Sequence, residues 1–294
     1  MRYWLCFLLT LGLSLEGRLI DHFKRGAEKT GCHSIKHIDC IYVVNLDQCP
    51  EKFERCVQQF APWGILPCRF SAIHGEELCL ETVRSVGVKY KKSVICDEML
   101  VTCYNRGTWN SPIHEFAYKR NRTYFCHGMS LASIGTCLSH LSVLQDAYNA
   151  GYKTVWIMDD GIEVVRSPHL LSDFIKQLDQ TVGKDGWDIL FTDRDARNSR
   201  GEYVVCTSLP ARLNFIPSNS QRFAQRWDVT PEIRCVGARF GAYSMIVRRS
   251  GMKKLLNYFK RYKIFFPFDV DLCMPDDIRL FTVIDDVVTS TLVQ

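Results

Sequence analysis

Three apolar runs in this chain end in acids. "TVWIM" stops at Asp159 and Asp160, with Glu163 shortly beyond. "DILFT" stops at Asp193 and Asp195, which flank Arg194. "IYVVNL" includes Asn45 and is followed by Asp47. Such short, β-branched runs read as buried strands. In an open α/β sheet, groups at the carboxyl ends of parallel strands share one rim, where ligands bind. Acids gathered there repel and raise one another's pKa values. A divalent cation with oxygen ligands removes that cost, and Mg²⁺ or Mn²⁺ bridges carboxylates to a diphosphate. This reading makes Asp160 the foremost metal ligand, with Asp159, Glu163 and Asp193 assisting. The competing reading is local: Asp fills turns and caps helices, and Asp-Asp-Gly alone reads as a turn.

A second polar set precedes "TVWIM" directly. In "GMSLASIGTCLSHLSVLQDAYNAG", Leu131, Ile134, Leu138 and Leu141 fall on one helical face, and Ser133, Thr136 and His140 on the other. Gly151 suits the stop of that helix. The polar face feeds into the acidic strand end, so His140 and Asp160 are expected to share a cleft, with Asn45 and Asp193 nearby.

These groups need a scaffold, and the pattern supplies one. A strand at 38–46 leads into a helix opened by Pro50 and marked by Phe53, Val57 and Phe60. "CRFSAIHG" gives a short second strand. The helix within 128–151 and the strand at 154–158 follow. Another helix starts near Pro168, then a strand at 187–192. "FGAYSMIVRRSGMKKLLNYFKRY" reads as a strand, a Ser-Gly turn and a basic amphipathic helix, and "RLFTVIDDVVTS" is strand-like. Residues 79–127 show no clear period. The alternation predicts one α/β domain over 38–294, with a mostly parallel central sheet and helices on both faces. "IDCIYVVNL", "TVWIM" and "DILFT" are expected as neighbouring central strands.

The 294 residues are 47% hydrophobic and 23% charged, which are globular values. The net charge of +5 is dispersed, and the cluster "KRNR" at 119–122 is short. This argues against nucleic acid as a partner. Residues 1–17 carry Arg2 and the apolar run "YWLCFLLTLGLSL", too short to span a bilayer comfortably, and read as a signal peptide or short signal-anchor. They imply a secretory or membrane-associated protein, or the cytoplasmic membrane face if the protein is bacterial and uncleaved. Residues 18–37 read as a linker. The 14 cysteines include no CxxC pair, so zinc-finger and thioredoxin-like readings fail. Export would permit some disulfides; Cys137, inside a helical pattern, reads as a small buried side chain. Asn121-Arg122-Thr123 is a glycosylation acceptor only in a eukaryotic secretory pathway.

In order along the chain, several segments resemble glycosyltransferase family 25, which includes bacterial lipopolysaccharide glycosyltransferases and the collagen galactosyltransferase domain. "IYVVNLDQCPEKFERC" is similar to the family's opening strand and helix, with Asn45, Asp47 and Arg55 in the motif places. "RFSAIHG" matches a segment carrying Ala72 and Gly75. "SIGTCLSHLSVLQDA" resembles the family's Gly-and-Ser-His helix, through Gly135, Ser139 and His140. "VWIMDDGIEVV" resembles its acidic strand end. "GAYSMIVRRSGMKKLL" and "PFDVDL" follow the family's later segments. The resemblance spans about residues 38–294.

The resemblance implies a GT-A fold, a nucleotide-sugar donor, Mn²⁺ or Mg²⁺, and an inverting transfer to a hydroxyl of a glycan, lipopolysaccharide or protein. Asn45, Asp47, Arg55, Gly135, Ser139 and His140 then contact the donor. Arg55 would neutralise diphosphate, or else pair with Glu51 one turn back. The general base facing the departing diphosphate would be Asp269, with Asp271 and Asp195 as rivals. Two departures stand out: Gly161 replaces the family's second Asp, and Ser133 its Glu. The first removes a metal ligand and leaves a rival reading, a non-catalytic carbohydrate- or partner-binding protein on a degenerate fold.

Overall fold

The computed structural model describes residues 18–91, 99–105, 111–196, 200, 202, 204 and 206–290. The leader expected at 1–17 lies outside these residues, as does Cys96.

The first strand, β1 (Cys40–Asn45), is buried along its whole length, and Cys40–Val44 are apolar because both faces are covered. Pro50 starts helix α1 (Pro50–Phe60) at a position where its missing N–H costs nothing. Strand β2 (Cys68–Ser71) follows, then α2 (Leu80–Val86) and β3 (Val88–Lys89). Next come β4 (Leu100–Cys103), β5 (Ile113–Phe116) and β6 (Thr123–Cys126). Helix α3 (Leu131–Asn149) is capped by Ser130, whose hydroxyl accepts the Ser133 N–H at 3.1 Å. Gly151, at φ +79°, takes the left-handed stop that an L side chain resists. The chain continues through β7 (Thr154–Asp159), β8 (Ile162–Val164), α4 (Leu170–Thr181) and β9 (Ile189–Phe191). The last third holds β10 (Arg226–Thr230), β11 (Ile233–Val236), β12 (Ser244–Arg248), α5 (Arg249–Tyr262), α6 (Phe268–Asp271), β13 (Leu280–Val283) and β14 (Val288–Ser290).

Eight strands form the main sheet in the order β10-β11-β13-β9-β12-β7-β1-β2. The sheet is mixed rather than mostly parallel. The pairs β1–β2, β1–β7 and β9–β13 are parallel, and the other four are antiparallel. The first two predicted strands are neighbours, but antiparallel β12 separates β7 from β9. Ser250 and Gly251, expected as a turn, are the first residues of α5.

Alternation along the strands divides the core into two layers, as period-2 geometry requires. Cys40, Tyr42 and Val44 pack with α3 and α5, whereas Ile41 and Val43 pack with α1 and α4. Helices therefore cover both faces, as expected. A four-stranded antiparallel sheet, β3-β6-β4-β5, fills the region where the sequence showed no period. Residues 18–37 are no loose linker. Leu19 and Ile35 are buried, the Lys24 N–H donates to Ser142 Oγ at 3.0 Å, and Cys32 bridges to Leu66. Twelve described cysteines are free thiols, so the expected disulfides do not occur among them; Cys40, Cys56, Cys137 and Cys273 are core side chains.

Candidate active site

Asp159 closes β7, and its N–H donates to Tyr243 O at 2.9 Å, which ties the strand end to the loop before β12. Because β12 runs antiparallel, its start meets the end of β7. Between them opens a cavity of about 200 Å³, lined by Ser133, Thr136 and His140 from α3, Asp159, the segment Gly241–Tyr243, and Pro267–Asp269. Of the four acids proposed as metal ligands, Asp159 alone lines it.

His140 Nε2 lies 3.1 Å from Asp159 Oδ1. Its ring stacks on Phe268, with centroids 4.4 Å apart and planes 7° from parallel. The residue is 1% exposed, and its Nδ1 has no hydrogen-bond partner. Asp160, expected to share a cleft with His140, does not line this cavity; the imidazole engages Asp159. Nor is the far face of α3 polar and open. Ser139 and His140 are as buried as Leu138 and Leu141, Ser133 is half-buried, and Thr136 is exposed.

Asp269 sits in the first turn of α6. Its Oδ2 accepts the Gly241 N–H at 2.9 Å and its Oδ1 accepts the Val270 N–H at 3.0 Å. Gly241 adopts φ +80°, which lets the loop turn its N–H onto the carboxylate. Tyr243 completes the wall; burial raises its phenol pKa, and the negative charges of Asp269, Asp193 and Asp159 raise it further. Sequence reasoning missed Tyr243, although the quoted "GAYS" segment contains it.

The remaining candidates have other partners. Asp160 accepts from Asn45 Nδ2 at 2.7 Å. Asn45 is 1% exposed; it also donates to Cys49 O at 2.8 Å and accepts from Arg69 Nε at 2.8 Å, so it fastens β1 to β2 and β7. Asp193 is buried against Arg239, which also donates to Asp193 O and to Thr282 Oγ1, both at 2.9 Å. Burial raises the Asp193 pKa despite that guanidinium. Asp195 is paired with Arg226 at 2.8 Å. Asp271 pairs with Arg212 at 2.7 Å, both side chains 0% exposed, and accepts the N–H groups of Phe265 and Phe266. Both Asp195 and Asp271 are thus taken up by arginine pairs, and neither lines the cavity. Glu163 lies on β8, paired with β14, away from the cavity.

Gly135 and Ser139 hold backbone together rather than lining the cavity. A Cβ on Gly135 would stand 2.6 Å from Gly75 N and 2.7 Å from Ile73 O. Ser139 Oγ accepts the Ile73 N–H at 2.8 Å. The Gly-and-Ser pair thus docks α3 against the loop after β2, and His140 is the motif residue that reaches the cavity. Arg55 is exposed on α1. Asp47 lines a separate cavity of about 270 Å³ at the ends of β1 and β2, with Lys24, His74 and Glu77. A hydrogen bond from Ser71, with help from Lys24 and Arg69, lowers the Asp47 pKa.

Asp159, Asp160 and Asp193 are each held by a different partner, His140, Asn45 and Arg239. Among the described residues, no group of three or more His, Cys, Asp and Glu is arranged to hold a metal ion.

A sheet with α3 behind it and polar groups at its strand ends is an α/β frame for a small-molecule site. The model of glycosyltransferase family 25, described as an LPS biosynthesis protein family, matches residues 38–274. The chain belongs to glycosyltransferase family 25. It is similar to a Drosophila melanogaster protein named "Glycosyltransferase 25 family member", 24% identical over 187 residues, which is 64% of this chain and 26% of that protein. A Drosophila pseudoobscura pseudoobscura protein of the same name is 21% identical over 165 residues, 56% of this chain and 22% of its own length. The chain therefore matches about a quarter of these relatives.

Proposed function

We propose that the chain transfers a sugar from a nucleotide-sugar donor to an acceptor hydroxyl on a GT-A-type frame, with inversion at the sugar carbon. The observation that supports this most is the convergence of Asp159, His140 and Asp269 on one cavity at the end of β7. Asp269 is the general base: two backbone N–H groups orient its carboxylate, and no arginine or lysine is paired with it among the described residues. The acceptor hydroxyl loses its proton to Asp269 as its oxygen attacks the sugar carbon, and the nucleoside diphosphate leaves with the bonding electrons. His140 holds Asp159 in place, and the Ser133 and Thr136 hydroxyls offer hydrogen bonds to the donor. The cavity at Asp47 and Lys24 is the place for the nucleoside. The acceptor is a glycan, lipopolysaccharide or protein.

The held-apart acids favour a second reading, a carbohydrate- or partner-binding protein without turnover. A hydrolysis screen across nucleotide sugars, with and without Mn²⁺, separates the two. Turnover of one donor that is lost in Asp269→Asn supports the transferase. Donor or glycan binding without turnover, with or without Mn²⁺, supports the binding protein.

A further inference from the structure

We propose that the outer face of the four-stranded sheet docks onto an anionic lipid surface. The inference does not depend on the glycosyl-transfer reading. Leu100 on β4 and Phe116 on β5 are direct cross-strand partners, so their side chains share one face. They are 41% and 57% exposed, and Tyr118, just past the strand, is 57% exposed. Isolated surface apolar residues need no explanation, but adjacent ones do. Here three large ones sit together beside cations. Lys119 Nζ lies 5.0 Å from the Tyr118 ring centroid, and exposed Arg120 follows it. Exposed Lys91 is brought alongside, because Tyr90 exchanges backbone hydrogen bonds with Asn121 and Arg122. The acid of this strand, Glu115, is half-buried: it accepts from Tyr124 at 2.8 Å, pairs with Arg122 at 3.2 Å and reaches Lys119 at 3.8 Å, which leaves Arg120 and Lys91 as the cations it does not engage.

An aliphatic and aromatic patch rimmed by Lys and Arg matches the physics of a headgroup boundary. Aromatic rings settle at the boundary, and long cationic side chains reach the phosphates. A neutral protein partner that buried the apolar face would gain little from Arg120 and Lys91, whereas an anionic surface uses both the apolar face and these cations. The position is also apt. Gly128 N–H donates to Thr102 Oγ1 at 3.0 Å and Tyr104 OH to Met129 O at 2.6 Å. These bonds fix β4 and the residue after it to the start of α3, the end that supplies Ser133 and Thr136 to the cavity. A protein docked in this way holds that end of α3 toward the membrane.

Hydrogen–deuterium exchange of the full chain tests the proposal, because it reports where vesicles touch. Residues 113–121 should exchange more slowly with phosphatidylcholine vesicles containing phosphatidylglycerol, not with phosphatidylcholine alone, and high salt should abolish the effect. Lys119→Gln with Arg120→Gln should weaken vesicle partitioning about thirtyfold, from roughly a fivefold step per cation. Phe116→Ser with Tyr118→Ser should weaken it by about tenfold or more. All four side chains are exposed, and unchanged exchange in α3 verifies folding. The proposal is overturned if 113–121 exchanges equally fast in every lipid, or if protection is confined to residues 1–17. Protection of 113–121 that rises with protein concentration in the absence of vesicles would mark a second copy as the occupant and overturn it too.

Discussion

Asp269 and Asp271 are two residues apart, and sequence alone leaves either as the base. The structure assigns them opposite consequences on mutation. Asp271→Asn strands the Arg212 guanidinium, which is 0% exposed, and removes a charge that accepts from two backbone N–H groups. Removing one partner of a buried pair costs about 3–5 kcal/mol. For a domain of this size each kcal/mol shifts Tm by about 2–4 °C, so a fall on the order of 10 °C is expected. Asp269→Asn keeps an acceptor oxygen for the Gly241 N–H at a half-buried site, and should move Tm by only about 2 °C. Turnover should show the reverse order. Asp269→Asn should lose about a hundredfold to ten-thousandfold, the usual worth of a positioned base. Asp271→Asn should retain near wild-type turnover per folded molecule at low temperature. Thermal melts by circular dichroism and donor assays on the same preparations decide it. A stable, inactive Asp271→Asn beside an active Asp269→Asn would refute the assignment.

Two further outcomes are expected. Gly135→Ala should lower stability by about 1–3 kcal/mol in a denaturant melt, since its Cβ would collide with the backbone of Gly75 and Ile73; an unchanged midpoint would show that this close contact is not required. Burial pushes the Asp188 pKa up, but hydrogen bonds from Arg279, Lys254 and Ser250 outweigh it and hold the carboxyl below its usual range. A depressed folded-state pKa contributes stability above the unfolded value, about 3.9, that is lost as pH falls through the folded value. The stability gap between wild type and Asp188→Asn should therefore be full at neutral pH and shrink below about pH 4, as read by urea melts across pH; a gap independent of pH would disprove the linkage.

Much of this arrangement was legible beforehand because burial leaves a direct mark. β1, β7 and β9 are apolar runs, and α3 has its cap and its glycine stop in the sequence. The direction of β12 was not legible, since a strand covered on both faces reads the same in either orientation. The small sheet was hidden for the opposite reason: its four-residue strands are only partly buried and show no sustained period. The site follows the same rule. The apolar run set Asp159 at a strand end and the helical period set His140 beside it, whereas Asp269 was reached only through the family resemblance. Motif spacing cannot say which acids will meet Arg212, Arg226 or Arg239, because those partners arrive from distant segments once the topology has closed. The Gly135 and Ser139 places in the motif looked like ligand contacts and proved to be backbone packing.

The antiparallel insertion of β12 has a consequence for biosynthesis. The cavity needs Asp159 from one part of the chain and the Gly241–Asp269 stretch from another, joined through the Asp159–Tyr243 bond. A nascent chain that has emerged only as far as β9 can already pair β1, β2 and β7, yet it presents β7 with an open edge and half a site. An unpaired strand edge invites aggregation. The interval between synthesis of β7 and of β12 is thus when that edge most needs shielding, and the pocket is complete only once α6 has followed.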